Sequence, residues 1–116
     1  MKKFLKGFTY AFNGLKYAAV TQLNFRVHLV AMLTAITLGL YFHLSANEWC
    51  WLAFAIAFVL ITELLNTAIE ILVDLVSPGY NIKAGHIKDV SAAAVLLSAI
   101  FAVVVGGIIF IPKLFF

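Results

Sequence analysis

Three long apolar stretches constrain this chain more than any other feature. The stretch 27–47 contains no Asp, Glu, Lys or Arg, and the stretches 49–75 and 90–111 are similar in length. A helix needs about 20 apolar residues to cross a bilayer, so each stretch is predicted to be a transmembrane helix. Of the 116 residues, 65% are hydrophobic and 11% charged, whereas soluble domains are roughly half apolar and a quarter charged. The predicted fold class is therefore an all-α integral membrane protein, with residues 1–116 forming a single domain.

The same length excludes several classes of function. There is no room for a soluble catalytic module beside the three spans. The chain also has neither the glycine spacing of a P-loop nor that of a dinucleotide-binding fold. Any phosphate chemistry must therefore use another device. The single cysteine cannot form an intrachain disulfide.

Residues 1–24 show a different pattern. Apolar side chains recur at spacings of four, four and three, and basic or amide side chains occupy the opposite arc: Phe4, Phe8, Phe12 and Leu15 against Lys2, Lys6, Asn13 and Lys16. This pattern predicts an amphipathic helix that lies on the membrane surface, with its lysines toward anionic headgroups. The segment lacks the continuous apolar core and the small-residue cleavage site of a signal peptide, so cleavage is not expected.

The basic residues indicate the topology. Seven of the eight lysines and arginines fall in the segments 1–26 and 77–89, whereas the connection 43–48 has none. The positive-inside rule places the N-terminus and the second connection on the cytoplasmic side. The net charge of +3 is then explained by topology, and no nucleic-acid partner is expected. Pro112 is predicted to end the third span.

The second span carries polar residues that an apolar helix does not need. Glu63, Asn66, Thr67, Glu70 and Asp74 fall within an arc of about 100° at the α-helical 100° per residue. Ionisable groups inside a membrane usually mark function. Glu63 could accept a proton from a buried hydroxyl, and Glu70 could hold Mg²⁺. The alternative is that these side chains only hydrogen-bond neighbouring helices and fix their register.

Lys88 and Asp89 directly precede the small-residue run that opens the third span. A lysine there can neutralise phosphate oxygens, and a helix N-terminus offers free N–H groups to anions. The alternative interpretation is interfacial anchoring, with Asp89 as a helix N-cap. The small residues of the run predict a face on which helices pack closely.

Two runs of residues resemble a known family. The first is Glu-Leu-Leu-Asn-Thr-Ala-Ile-Glu at 63–70 with Val73-Asp74, and the second begins Lys-Asp-Val-Ser-Ala-Ala-Ala at 88. Together they resemble the small bacterial integral-membrane diacylglycerol kinases, a family that includes the undecaprenol kinases. The N-terminal residues Phe8, Tyr10, Ala11, Gly14 and Leu15 and the motif Asn-Phe-Arg-Val-His at 24–28 extend the resemblance over nearly the whole chain.

The resemblance implies a homotrimer in the inner membrane of a bacterium that transfers the γ-phosphate of MgATP to a lipid alcohol. It implies that Glu63 is the general base, that Glu70 is a metal ligand, that Asn66 orients this pair and that Ala92 makes room for the lipid. It also implies a set of nucleotide-contacting residues, with Lys3 as a weaker candidate: Tyr10, Gln22, Glu70, Gly79, Tyr80, Asn81, Lys88 and Asp89.

One position departs from the family pattern. The family usually has a glutamate, a second metal ligand, where this chain has Gln22. A glutamine offers a neutral carbonyl oxygen and no charge, so Mg²⁺ is held either by Glu70 and the ATP phosphates or too weakly for activity. The second case corresponds to a weakened paralogue that acts as a membrane scaffold.

Two further alternatives concern substrate and class. Pro78 and the motif at 24–28 look more like the undecaprenol kinase branch than the diacylglycerol branch. A small multidrug-type transporter also uses a membrane glutamate, but it needs four spans and a glutamate in the first of them. We expect a lipid kinase, with undecaprenol or diacylglycerol as the alcohol.

Overall fold

The chain consists of four α-helices and no strands in a computed structural model that describes residues 1–116. In chain order they are α1 (Lys2–Thr21), α2 (Leu23–Tyr41), α3 (Ala46–Val76) and α4 (Ile82–Phe115). The helices α2, α3 and α4 are long and apolar enough to cross a membrane, which confirms the all-helical membrane fold. At about 1.5 Å per residue, α3 and α4 are about 47 and 51 Å long, and they extend beyond a hydrocarbon core of about 30 Å.

The helix α1 is almost fully exposed along its length, with Ala18 as its one buried residue. It ends because Gln22 adopts an extended backbone, with φ −110° and ψ 111°, and α2 starts at the next residue. The Arg26 guanidinium donates to the carbonyl oxygens of Ala19 and Val20, at 3.0 and 2.9 Å. A cation suits the carbonyl end of a helix, so Arg26 holds the corner between α1 and α2.

The first span is shifted from the predicted 27–47, because α2 begins at Leu23 and ends at Tyr41. His43 has a φ of +52°, and Leu44 then turns back into the interior, where it is buried. Ser45 begins α3 with a capping box, in which its hydroxyl accepts from the Glu48 N–H and Glu48 accepts from the Ser45 N–H. The start predicted at Trp49 is therefore three residues late.

The third span starts much earlier than the predicted residue 90. The Asn81 side chain accepts from the N–H groups of Lys83 and Ala84, at 2.9 and 3.1 Å, and the helix begins at Ile82. Lys88 and Asp89 therefore lie in the body of α4, and Asp89 is not its N-cap. The free N–H groups of α4 belong to the turn at Asn81, so the anion-binding helix end predicted beside Lys88 is wrong.

The prediction that Pro112 ends the third span is also wrong, since α4 continues to Phe115. A proline removes one hydrogen bond and crowds the carbonyl of the preceding turn, but it can still accept from the following turn, and the Phe116 N–H bonds the Pro112 carbonyl at 2.9 Å. So close to the end of the helix, the missing bond does not unwind the last turn.

The apolar core lies at the Trp49 end of the spans. Six buried side chains from the α2–α3 turn, α3 and α4 form it: Leu44, Leu52, Ala55, Val105, Ile109 and Phe110. Gly39 brings α2 close, because a Cβ there would lie 2.7 Å from Cη2 of Trp49. The ion pair Lys113–Glu48, at 2.9 Å, joins α4 to α3 at the same end.

Candidate active site

The polar stripe of α3 runs from a buried to an exposed environment. Glu63, Asn66 and Thr67 are buried, Glu70 is half-buried, and Asp74 is exposed. Glu63 lies about 26 Å along the axis from the start of α3 and about 20 Å from its end, at 1.5 Å per residue. The stripe therefore connects the interior of the bundle with the end of α3 that carries Asp74.

Glu63 is the most unusual of these residues. It is 2% exposed, and its Oε2 atom has no hydrogen-bond partner, the one buried side-chain polar atom of which this is true. The polar groups that interact with it electrostatically are Asn24 and His28 of α2 and Glu70 of α3. A buried carboxylate oxygen without a partner is costly, and a ligand hydroxyl at this position would remove that cost.

Asn66 and Glu70 are joined to α4 by hydrogen bonds. The Asn66 Nδ2 atom donates to Oε1 of Glu70 at 3.3 Å, and the Ser91 hydroxyl donates to Oδ1 of Asn66 at 2.7 Å. The second oxygen of Glu70 accepts no hydrogen bond within the chain. The amide therefore orients the carboxylate and leaves one oxygen available.

Lys88 lies beside the exposed end of the stripe. Its Nζ atom is 2.5 Å from Oδ1 of Asp74, and both side chains are partly exposed. An exposed pair of this kind contributes little stability, so exchanging the Asp74 partner for a phosphate oxygen would cost little. The structure thus places Lys88 near the stripe, with its charge accessible from solvent.

The other residues assigned to the nucleotide are spread over the surface. Tyr10 in α1 and Tyr80 in the α3–α4 turn are 68% and 96% exposed, and Lys3, Gly79 and Asp89 are exposed as well. The side-chain oxygen Oδ1 of Asn81 caps the N-terminus of α4. In the single chain none of these residues makes a hydrogen bond to Glu70.

Gln22 lies at the break between α1 and α2. It is half-buried, and its Nε2 atom donates to the Thr21 hydroxyl at 3.2 Å. Its amide therefore makes no hydrogen bond to the carboxylates of α3.

The residues present fit Mg²⁺ only if most ligands come from elsewhere. Nowhere does the chain bring together three or more His, Cys, Asp or Glu side chains that could hold a metal ion. The free oxygen of Glu70 is a hard ligand, and Mg²⁺ is commonly bound by one or two carboxylates together with substrate phosphates and water. Glu70 therefore fits as the one carboxylate of such a site.

An apolar cleft of about 440 Å³ lies between α2, α3 and α4. His28 lines it, and His28 is also one of the groups that interact with Glu63. Further along the cleft the lining is hydrocarbon, including Leu52, Val59 and Val103. Ala92 is exposed on α4, beside Ser91.

The sequence predicts no catalytic or binding role for three residues near the stripe. Asn24 and His28 act on Glu63 from α2, and Ser91 bonds Asn66 from α4. Asn24 and His28 belong to the motif at 24–28 that carries part of the family resemblance. That motif is the sequence signal that points to them. Ser91 was counted among the small packing residues, and nothing in the sequence separates it from them.

The fold and the stripe define a class: a small helical membrane protein with a carboxylate site inside its spans. The family model for prokaryotic diacylglycerol kinase matches residues 9–110. The chain belongs to this family, which is a family of lipid kinases.

Three relatives show the breadth of the family. The chain is 46% identical over 111 residues to a diacylglycerol kinase of Synechocystis, a match that covers 95% of this chain and 63% of the relative. It is 36% identical over 114 residues to the undecaprenol kinase of Bacillus subtilis, covering 98% and 93%. It is 33% identical over 102 residues to the diacylglycerol kinase of Escherichia coli, covering 88% and 84%. The chain thus spans about two thirds of the first relative's length and most of the other two.

Proposed function

We propose that the chain is an ATP-dependent kinase that transfers the γ-phosphate of MgATP to the hydroxyl of a membrane lipid alcohol, undecaprenol or diacylglycerol. Family membership supports the reaction class, because relatives with both names match nearly the whole chain. The observation that carries the proposal is Oε2 of Glu63, a buried oxygen without a hydrogen-bond donor.

A lipid hydroxyl would supply that donor. As the hydroxyl oxygen attacks the γ-phosphorus, Glu63 takes its proton, a P–O bond to the alcohol forms, and the bond to the β-phosphate oxygen breaks. The products are the phosphorylated lipid and ADP. The protein contributes mainly position and charge, as is usual in phosphoryl transfer.

The cleft beside His28 supports a lipid as the acceptor. It offers hydrocarbon surface on three helices, and it is lined by His28, which also interacts with Glu63. An alcohol with a long apolar chain can place its hydroxyl at the carboxylate and keep the chain in a water-poor environment. A soluble alcohol would gain nothing from this lining.

Glu70 is proposed to hold Mg²⁺ with the phosphates, and the metal would neutralise charge that develops during transfer. Asn66 keeps one oxygen of Glu70 occupied and leaves the other free. Lys88 is proposed to bind a phosphate oxygen as a point charge. Tyr10, Gly79, Tyr80, Asn81 and Asp89 stay predicted nucleotide contacts.

The exposed positions of these nucleotide residues favour a site completed by a second copy of the chain. We propose a homotrimer in the inner membrane, with the N-terminus and the α3–α4 turn in the cytoplasm. The end of the stripe with Asp74 and Lys88 then faces the ATP.

The test is phosphate transfer from γ-labelled ATP in lipid micelles, with undecaprenol and diacylglycerol offered separately. Label on one lipid names the substrate, and label on both identifies a promiscuous kinase. Glu63→Gln is the control for background transfer.

Absence of label would test the scaffold alternative, which Gln22 keeps open. The folded protein could bind ATP without transferring phosphate. In that case, recovery of phosphate transfer in Gln22→Glu would show that Gln22 had disabled a kinase. If the protein binds no ATP at all, the kinase proposal is wrong.

A further inference from the structure

The buried serines of α4 bond α3 at different places. Ser91 and Ser98 are 8% and 0% exposed. Ser91 donates to Asn66, whereas Ser98 shares a 2.8 Å hydrogen bond with Thr62 and donates to the Val95 carbonyl. One serine therefore contacts the carboxylate stripe, and the other contacts a neutral hydroxyl seven residues along the helix.

The contacts between α3 and α4 have a regular antiparallel register. Lys88 pairs with Asp74, Ser91 with Asn66, and Ser98 with Thr62. Lys88 and Ser91 are three residues apart and so share one face of α4. Their partners on α3, Asp74 and Asn66, lie on either side of Glu70. The helix α4 therefore contacts the stripe on both sides of that carboxylate.

The Ser91 hydroxyl determines which way the Asn66 amide points. A carboxylate only accepts hydrogen bonds, so the NH₂ group of Asn66 must face Glu70 and its carbonyl oxygen must face a donor. Ser91 is that donor, at 2.7 Å. Without it, the buried carbonyl oxygen lacks a partner, and a rotated amide would turn that oxygen toward the Glu70 carboxylate.

We propose that Ser91 is a positioning residue for the Glu70 carboxylate and acts through the Asn66 amide. The role in catalysis rests on the proposed lipid kinase function, but the positioning itself does not. Removal of the hydroxyl loosens the orientation of Glu70 and weakens binding of magnesium nucleotide, while the lipid site at Glu63 keeps its geometry.

The kinetic test compares Ser91→Ala with Ser98→Ala, which removes the other buried serine hydroxyl of the same helix. In Ser91→Ala the KM for MgATP is expected to rise about 10- to 100-fold, the usual effect of losing a group that orients a metal ligand. The KM for the lipid is expected to stay unchanged. Ser91→Thr keeps a hydroxyl and is expected to recover most of the affinity, and Ser98→Ala is expected to behave as the wild type.

A second measurement does not depend on activity. The side-chain amide resonances of Asn66, assigned by their loss in Asn66→Ala, are recorded by ¹⁵N NMR in micelles. They are expected to shift in Ser91→Ala and to stay in place in Ser98→Ala. Thermal unfolding of all variants separates a changed amide from an unfolded protein.

The outcomes decide the two proposals separately. If the wild type transfers no phosphate, the kinase proposal fails, and the Asn66 resonances alone still decide whether Ser91 sets the amide. Unmoved resonances in Ser91→Ala overturn the positioning proposal. Equal increases in KM in both alanine variants also overturn it, because they indicate a general packing effect.

Discussion

The two ends of the α3–α4 pair are built differently. Toward Trp49, the helices meet through six buried apolar side chains, and the turn before α3 closes with a capping box. Toward Asp74, they meet through hydrogen bonds and an ion pair on a stripe that includes a buried carboxylate. We call these the apolar end and the polar end. The apolar end satisfies its own groups, whereas the polar end leaves oxygens of Glu63 and Glu70 without partners.

This difference indicates that the apolar end contributes mainly to stability and the polar end mainly to chemistry. Close apolar packing makes the position of every helix costly to change. Unpartnered buried polar atoms destabilise a fold, and they persist where a ligand completes them. Substitutions at the two ends should therefore affect different measurements.

The largest effect is expected at Glu63. Glu63→Gln removes the proton acceptor and keeps the volume, so phosphate transfer should fall by about 10²- to 10⁴-fold, the usual contribution of a general base. The melting temperature should not fall, because the carboxylate oxygen has no partner to lose. Transfer at the wild-type rate in Glu63→Gln would remove Glu63 as the base.

The apolar end should show the reverse behaviour. Ile109 is 5% exposed in the core cluster, and Ile109→Ala should lower the free energy of unfolding by about 2–5 kcal/mol. The rate per folded molecule should change little, since Ile109 packs in the core cluster and does not line the cleft. Chemical denaturation in micelles measures the first quantity, and transfer normalised to folded protein measures the second. Loss of turnover in protein that remains folded would show that the two ends are not independent.

A smaller effect is expected at Glu70. Glu70→Gln should raise the Mg²⁺ concentration for half-maximal rate by about 10- to 100-fold, the range found when support for a metal is removed. The KM for the lipid should stay constant, because Glu63 and the cleft are unchanged. A magnesium titration at saturating ATP is the measurement, and an unchanged curve would show that Glu70 does not hold the metal.

Gln22 allows the opposite change at the polar end. Gln22→Glu adds a carboxylate at the position for which the family resemblance implies a second metal ligand, and more negative charge among the ligands tightens cation binding. The Mg²⁺ concentration for half-maximal rate should fall by a modest factor. Gln22→Asn is the neutral control and should not show this fall. A fall in Gln22→Asn as well would mean that charge at this position is not the cause.

The sequence predicts the residues of the polar end better than the hydrogen bonds that join them to α4. The length of the apolar stretches identifies the three spans, and the 100° step of the helix places Glu63 and Glu70 on one arc without any structure. These signals are local to one helix. The bond from Ser91 to Asn66 depends on the register between two helices, and a serine in a small-residue run gives no sign of its partner.

The starts of α3 and α4 differ from the predicted residues for a related reason. Polar residues such as Lys83 and His86 suggested a loop, yet they lie in α4, since a helix that leaves the membrane can be polar. The capping box at Ser45 and Glu48 was a readable signal for the start of α3. The break at His43 depends instead on Leu44 packing into the core, and no spacing in the sequence shows this.

The smallest effect is expected for the ion pair at the apolar end. Lys113 and Glu48 lie 2.9 Å apart with side chains 26% and 28% exposed, and pairs with solvent access contribute about 0.2–1 kcal/mol. Lys113→Met should therefore change the unfolding free energy by no more than that, and it should leave phosphate transfer unchanged. Glu48→Ala should cost more than Lys113→Met, because Glu48 also accepts the Ser45 N–H of the capping box. Denaturation of the two variants and of the double variant gives the coupling energy between the side chains, and a coupling well above 1 kcal/mol would show that the charge pair, and not only the apolar core, fixes this end of the bundle.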